Sequence, residues 1–198
     1  MTQKKSVEFM FDFGSPAAYL AWTQLPALCA AADAGLLWRP VLLGGIFQAT
    51  GNQSPMSIAS KGRYMQDDLA RFARRYGVPF SHNPHFPINT LTLMRGATGL
   101  ALRDPARLSA YVAAIYPAVW AEQKNMGDAA TVAGVLQGAG FDPAAFMALV
   151  SDPAVKEQLK ADTQAAVARG AFGAPTLFVG QDMYWGQDRL DFVKEALQ

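Results

Sequence analysis

The residues best suited to chemistry in this chain stand where a strand-like segment ends. Ser15 follows an alternating apolar run and precedes Pro16, and serine followed by proline favours the start of a helix. The first turn of a helix has unpaired N–H groups and a partial positive charge, so it stabilises an anion such as a thiolate. Ser15 is therefore a candidate for holding an anionic group, and simple capping of the helix is the alternative.

Cysteine usage restricts which thiol could act there. The chain of 198 residues has one cysteine, Cys29. A single cysteine excludes both an intramolecular disulfide and a Cys-x-x-Cys redox pair. Cys29 lies among Leu28, Ala30 and Ala31 of a predicted helix, which indicates a buried small apolar residue. A thiol acting beside Ser15 must therefore come from another molecule.

The elements that position Ser15 predict a β-α-β opening. Residues 7–13 alternate as a strand, and residues 16–34 follow as a helix that Gly35 ends. Residues 36–43 form the next predicted strand. Such an opening favours two parallel strands joined by a right-handed crossover.

The middle of the chain is predicted to be helical. Residues 44–55 contain several glycines and predict a loop, and helical spacing of apolar residues then continues to about residue 170. Asp142-Pro143 and Asp152-Pro153 each place a capping residue before a proline at the first helical position. The predicted helices cover residues 56–76, 89–102, 105–123, 128–139, 143–150 and 153–169.

Strand patterns return only near the C-terminus. Residues 176–179 and 183–185 predict a hairpin, and residues 188–197 a closing helix. This order is typical of an α/β protein with a thioredoxin-like domain and a large all-helical insertion. We expect the thioredoxin-like domain to comprise residues 1–45 and 170–198, and the insertion residues 46–169.

Four segments share a pattern with one protein family. They are residues 11–21, beginning Phe-Asp-Phe-Gly-Ser-Pro, residues 43–55, residues 173–178, Gly-Ala-Pro-Thr-Leu-Phe, and residues 185–190, Trp-Gly-Gln-Asp-Arg-Leu. In this order they resemble the 2-hydroxychromene-2-carboxylate isomerase family, which is close to kappa-class glutathione transferases and DsbA-type oxidoreductases. The resemblance covers nearly the whole chain. It implies glutathione as cofactor, a small aromatic carboxylate as substrate and a homodimer.

The resemblance also implies roles for residues around Ser15. Ser15 matches the position of the first redox cysteine of DsbA-type proteins, and its hydroxyl would donate to the glutathione sulfur as the catalytic contact. Pro175 matches the cis-proline of thioredoxin-like folds, with an ordinary turn proline as the alternative. A cis bond would turn the Ala174 backbone toward the cysteinyl part of glutathione.

Further positions match the two ends of glutathione. Gln187 and Asp188 would hold the γ-glutamyl carboxylate and ammonium, and Asp188 would also cap the last helix. Asn52 and Lys61 match positions near the glycine end, although a lysine at such a position is often only a solvated surface residue.

Candidates for substrate binding are aromatic and polar side chains. Four aromatic residues could wall an apolar pocket, with core packing as the alternative for each. Asn89 and Arg95 lie in a stretch similar to a family segment beside the active site, where one of them would bind the substrate carboxylate. The aromatic residues are Phe47, Tyr64, Trp120 and Trp185.

Composition and charge exclude other partners. The net charge is +1 and no basic block occurs, so nucleic acid and an anionic membrane are poor partners. No apolar run approaches the roughly 18 residues of a membrane span, and we expect a cytoplasmic protein. His82 and His85 have no cysteine or third ligand beside them, so no metal site is expected.

Three functions remain open. The first is the glutathione-dependent isomerisation implied by the resemblance, in which glutathione is regenerated. The second is conjugation or peroxide reduction, as in a kappa-class transferase. The third is glutathione binding without catalysis.

Overall fold

The computed structural model describes residues 4–198, which fold into one four-stranded sheet and nine α-helices. Strands β1–β4 span Ser6–Phe11, Gly35–Pro40, Thr176–Val179 and Asp182–Trp185. Helices α1–α9 span Pro16–Ala31, Leu43–Thr50, Ala59–Tyr76, Leu91–Arg103, Leu108–Trp120, Ala129–Gly138, Pro143–Ser151, Pro153–Ala168 and Leu190–Leu197. Short 3₁₀ turns lie at Pro55–Ser57, Pro105–Arg107 and Gln187–Arg189.

The sheet has the strand order β2-β1-β3-β4. β1 and β2 are parallel, with Phe9 opposite Trp38, and this confirms the predicted parallel pair. β1 and β3 are antiparallel, and β3 and β4 form the predicted hairpin, with Leu177 opposite Tyr184. Helices α2–α8 lie between β2 and β3 in the chain, so the architecture is the expected thioredoxin-like sheet with a helical insertion.

Helix α1 begins as predicted but ends earlier. It starts at Pro16 and stops at Ala31, so the prediction that Gly35 ends it is wrong. Asp33 makes the turn with φ 48°, a left-handed conformation that aspartate tolerates better than most residues. Gly35 is instead the first residue of β2, which therefore lies earlier than the predicted 36–43.

The prediction of a loop over residues 44–55 is wrong, because α2 occupies Leu43–Thr50. Leu42 precedes the helix and makes no side-chain capping bond. The Leu43 N–H instead donates to Asp12 Oδ2 at 2.7 Å, from a residue that is distant in the chain. Because this cap comes from another segment, the local sequence shows only the glycines of the first turn, which favour a loop.

The other predicted helices are confirmed in position and differ at their ends. A 3₁₀ turn precedes both α3 and α5, so these helices begin at Ala59 and Leu108 rather than at residues 56 and 105. α4 begins at Leu91, two residues after the predicted start. α9 begins at Leu190, because a 3₁₀ turn occupies Gln187–Arg189.

One apolar core joins the sheet to the helical segment. Phe11 and Phe13 pack against Tyr116 of α5, with ring centroids 6.1 and 4.9 Å apart. The indole N–H of Trp120 donates to the Phe13 carbonyl at 2.8 Å. The predicted boundary between residues 45 and 46 falls inside α2, so the two predicted regions are continuous in both chain and core.

The burial of Cys29 and the length of the apolar helices bear on two predictions from the sequence. Cys29 is 3% exposed on the core side of α1, as predicted, and burial raises the pKa of its thiol. Within residues 4–198, no single helix is long and apolar enough to cross a membrane. One bent pair, α6 with α7, passes that test together by length and composition alone.

Gly96 lies where α4 packs closely against α5 and α7. A Cβ built there would overlap the Phe146 ring and lie 2.5 Å from Tyr111 Oη. We expect Gly96→Ala to lower the free energy of unfolding by about 1.5 kcal/mol in urea denaturation, because neither ring can move freely in a packed core. Gly134→Ala in α6 is the control: no atom lies within 4 Å of its Cβ position. It should raise stability by about 0.5–1 kcal/mol, and equal effects of the two substitutions would contradict the close approach.

Candidate active site

Ser15 caps α1 and also reaches the loop before β3. Its Oγ accepts the Ala18 N–H at 3.1 Å, which confirms the capping role. The same hydroxyl donates to the Ala174 carbonyl at 2.7 Å. Ser15 is 4% exposed, so both bonds are largely shielded from water. A serine hydroxyl has a single proton, and here that proton lies in the bond to Ala174.

The N-terminus of α1 and the Ala174–Pro175 bond form two sides of the space around Ser15. α1 has no acidic side chain in its first turn, so no carboxylate there offsets the positive end of the helix dipole. The Ala174–Pro175 peptide bond is cis, as predicted. The Ala174 N–H donates to no described residue, so a backbone donor remains free beside the Ser15 hydroxyl.

A rim of side chains continues from Ala174 along the same loop. The Asn52 side-chain amide donates to the Phe172 carbonyl at 2.8 Å, which brings the predicted Asn52 to the loop that carries Ala174. The Phe172 ring lies 5.1 Å from the Trp185 ring, and Trp185 is 47% exposed. The sequence interpretation missed Phe172, although an aromatic residue three positions before Pro175 was a usable signal.

A tight turn after β4 brings Gln187 toward Pro175. The Gly186 N–H donates to the Pro175 carbonyl at 3.1 Å. Gly186 has φ 100°, and a Cβ there would lie 2.5 Å from Asp188 Oδ1, so the turn requires glycine. Gln187 is buried, and its backbone carbonyl accepts the Tyr76 hydroxyl at 2.8 Å. The loop before β3 and the turn after β4 are therefore held together.

The expectation that Asp188 caps the last helix is wrong. Asp188 lies within the 3₁₀ turn, and its carboxylate accepts from Arg189 Nη1 at 2.7 Å instead of from a helix N–H. α9 starts at Leu190 without a side-chain cap. The Asp188 carboxylate is exposed, so an incoming ammonium group would compete with Arg189 for it.

The Asp12 side chain fixes the position of the Ser15 loop through hydrogen bonds. Its carboxylate is 1% exposed. Oδ1 accepts the Gly14 N–H at 2.8 Å and the Thr90 hydroxyl at 2.7 Å, while Oδ2 accepts the Leu43 N–H at 2.7 Å. The Asp12 carbonyl also accepts the Ser15 N–H at 3.0 Å. One buried side chain thus fixes the Ser15 loop to the starts of α2 and α4.

Burial raises the pKa of the Asp12 carboxyl, and its three donors oppose that rise. A carboxylate surrounded by donors is the usual way in which a buried charge is compensated. The sequence interpretation missed this role. The signal was a charged residue between Phe11 and Phe13 at the end of a strand, where an exposed position would be unremarkable but a buried one needs partners.

Comparison with known proteins places the chain in a family. A family model described as DSBA-like thioredoxin domain matches residues 6–198. The chain is 34% identical to 2-hydroxychromene-2-carboxylate isomerase of Sphingobium xenophagum over 98% of each chain. A solved structure of a 2-hydroxychromene-2-carboxylate isomerase superposes with a TM-score of 0.83 and 33% identity, covering 97% of this chain and 94% of that one. This chain belongs to the 2-hydroxychromene-2-carboxylate isomerase family of DSBA-like thioredoxin domains. Human glutathione S-transferase kappa 1 is a more distant relative, 28% identical over 98% of this chain and 91% of that one.

Three predicted site residues lie on α2 and α3, without a described hydrogen bond to the Ser15 loop. Lys61 is exposed in the first turn of α3. Tyr64 is 61% exposed, with the Arg71 guanidinium 5.8 Å from its ring centroid. Phe47 is half-buried on α2. No described hydrogen bond connects these side chains to Ser15 or Ala174, so their roles in binding stay predictions.

The remaining substrate candidates occupy three different environments. Asn89 is exposed, and its Oδ1 accepts the Leu91 N–H at 3.1 Å at the start of α4. Trp120 is 1% exposed, so its ring packs in the core and supports Phe13 instead of lining an accessible pocket. Arg95 faces a cavity between α2, α4 and α8 whose lining does not include Ser15.

His82 lies beside α3, and the two histidines do not belong to a metal-ligand cluster. His82 Nε2 is 3.4 Å from the Gln66 side-chain amide, and His85 is exposed. Across residues 4–198, no group of three or more His, Cys, Asp or Glu side chains is arranged to hold a metal ion.

Proposed function

We propose that this protein is a glutathione-dependent isomerase of 2-hydroxychromene-2-carboxylate type compounds, which converts them to trans-o-hydroxybenzylidenepyruvates. The proposal rests on 34–35% sequence identity with isomerases of that name over at least 96% of this chain, combined with a serine at the N-terminus of α1. A chain whose one cysteine is buried in α1 cannot run dithiol chemistry at this position.

The residues around Ser15 fit glutathione as the thiol. The free Ala174 N–H is a suitable donor for the cysteinyl carbonyl, in the manner of a short added strand. We assign the γ-glutamyl end to Gln187 and Asp188, at the turn that is tied to Pro175. We assign the glycine end to Asn52 and Lys61. Two kappa-class relatives are named glutathione S-transferases, which supports glutathione as the thiol.

Bound glutathione would supply a thiolate for reversible addition to a conjugated carbon of the substrate. The ring C–O bond would open to a phenol and a ketone, the former double bond would rotate as a single bond, and loss of the thiolate would restore the double bond and regenerate glutathione. Ser15 would lower the pKa of that thiol by turning its hydroxyl from the Ala174 carbonyl to the sulfur. The N–H groups of the first turn of α1 would add to this stabilisation. The protein thereby contributes a prepared anion site and orientation.

The aromatic rim beside Ala174 suits an aromatic substrate. Phe172, in the loop that carries Ala174, and its neighbour Trp185 are both partly exposed, and exposed aromatic rings can pack against a planar ligand. We assign the substrate ring to Trp185 and Phe172, with Phe47, Tyr64 and Asn89 as further contacts. A homodimer and a cytoplasmic location are parts of the proposal that rest on the family resemblance.

The second candidate is a transferase that releases a glutathione conjugate, which the kappa-class relatives favour. The two functions differ in stoichiometry. We expect the protein to convert an excess of 2-hydroxychromene-2-carboxylate completely with a small amount of glutathione, while the titre of free thiol stays constant. Product absorbance and thiol titration together measure this.

Two outcomes would contradict the isomerase. Loss of free thiol in proportion to substrate consumed would identify a transferase. Glutathione binding in calorimetry without turnover of this substrate would identify a binding protein. The matched control is the same assay without added glutathione. Protein-dependent turnover should stop there, and only the uncatalysed isomerisation should remain.

A further inference from the structure

The cavity that Arg95 faces lies between α2, α4 and α8. Its volume is about 660 Å³, within the roughly 300–1,000 Å³ range of small-molecule sites. Its walls come from three helices of the insertion, and they include neither Ser15 nor Ala174, Asn52 or Gln187. The cavity is therefore separate from the candidate active site.

Positive charge dominates the polar part of this cavity. Arg95 of α4 and Lys156 and Lys160 of α8 line it, against a single acidic residue, Glu157. Lys160 lies 3.4 Å from Glu157, in an exposed pair of the kind that contributes little. The other two cations have no carboxylate within salt-bridge distance among the described residues. A cavity with this balance favours an anionic ligand.

Arg95 provides the most specific observation. Its Nε is buried and donates to no described residue. A buried N–H without an acceptor is rare and unfavourable, and for a guanidinium the loss is larger than for a neutral donor. An acceptor entering the cavity would satisfy this N–H. A guanidinium binds both carboxylates and phosphates through paired N–H donors.

Apolar residues complete the wall and describe the rest of the ligand. Leu42 directly precedes α2, and Leu91 begins α4. Pro153 and Leu159 lie on α8. An inorganic anion would leave these surfaces against water, whereas a carboxylate with an apolar body would cover them. Together with the buried Nε, they indicate a charged head and an apolar remainder.

We propose that the cavity lined by Arg95, Lys156 and Lys160 is a second binding site, which takes a small organic carboxylate with an apolar body. The carboxylate accepts from Arg95 Nε and lies near the two lysine ammonium groups. The site needs neither glutathione nor turnover, so it stands or falls independently of the isomerase function.

Titration calorimetry with benzoate tests this proposal on the full chain. Benzoate should bind at low ionic strength, and its neutral isostere benzamide should bind at least about tenfold more weakly. Arg95→Gln should weaken benzoate binding about tenfold or more. Arg63→Gln is the matched control, because it removes the same charge from an exposed position of α3 that does not line the cavity. It should leave benzoate affinity unchanged.

A second variant keeps the test decisive if Arg95→Gln folds poorly. Lys156→Gln combined with Lys160→Gln alters only helix surface facing the cavity and should weaken benzoate binding about two- to fivefold. Saturating glutathione and Ser15→Ala should both leave benzoate affinity unchanged. Displacement of benzoate by glutathione, equal binding of benzamide, no benzoate binding at millimolar concentration, or insensitivity to the cavity variants would each overturn the proposal.

Discussion

Ser15→Ala is expected to slow glutathione-dependent turnover about tenfold to a hundredfold. The hydroxyl would donate to a thiolate, and a hydrogen bond to a charged group is worth roughly 1.5–3 kcal/mol when it is made in the transition state. The same change should raise the thiol pKa of bound glutathione, which the ultraviolet absorbance of the thiolate reports as a function of pH. Glutathione affinity should fall much less, because the proposal assigns other parts of the molecule to Ala174 and Gln187.

The control for Ser15→Ala must separate chemistry from capping. Asp142 also caps a helix directly before a proline, and its carboxylate accepts the Ala144 N–H at 2.9 Å. Either substitution by alanine should lower the free energy of unfolding by about 0.5–2 kcal/mol. Asp142→Ala should leave turnover intact. If Ser15→Ala kept both the thiolate titration and the turnover of the unaltered protein, Ser15 would be a cap and nothing more.

Asp12→Asn is expected to lower the free energy of unfolding by about 2–3 kcal/mol, the largest stability effect of any single substitution considered in this protein. The amide has one acceptor oxygen where the carboxylate has two. Whichever way it turns, either Gly14 or Leu43 is left with a buried N–H facing an amide NH₂. Turnover should fall as well, because the Gly14–Ser15 segment loses its anchor. Urea denaturation and steady-state rates measure the two effects.

Asp128→Asn is a matched control for Asp12→Asn. Asp128 also accepts a backbone N–H and a threonine hydroxyl, both from Thr131 and both at 2.8 Å, but it is exposed. Asparagine caps a helix about as well as aspartate, so this change should alter stability by only a few tenths of a kcal/mol. Equal losses for the two variants would mean that Asp12 acts only as a local turn residue.

Local sequence patterns predicted the start of a helix correctly where the capping residue directly precedes that helix. Ser15-Pro16, Asp142-Pro143 and Asp152-Pro153 each start a helix at the predicted residue. The start of α2 was missed because its cap, Asp12, comes from a segment far away in the chain. Long-range side-chain caps of this kind leave no trace in the spacing of apolar residues, which carries most of the local information.

In the candidate site, too, local motifs identified some residues, whereas residues that depend on distant contacts were missed. Ser15, Ala174 and Pro175 were found from motifs in the chain, and the structure joins them through the bond from Ser15 to Ala174. Asp12 and Phe172 were missed, because their importance depends on burial and on contacts across the loop. Asp188 was assigned a cap from its residue type alone, whereas the neighbouring Arg189 takes its carboxylate.

The shared core around Phe13 and Tyr116 limits how this architecture can be recombined. A chimera that exchanged the helical insertion with that of a DsbA-type relative would have to match the aromatic contacts that cross between insertion and sheet. Packed interiors tolerate such volume mismatches poorly. New substrate ranges in this lineage should therefore arise by stepwise side-chain replacement along α2–α8, because the insertion is not an exchangeable module.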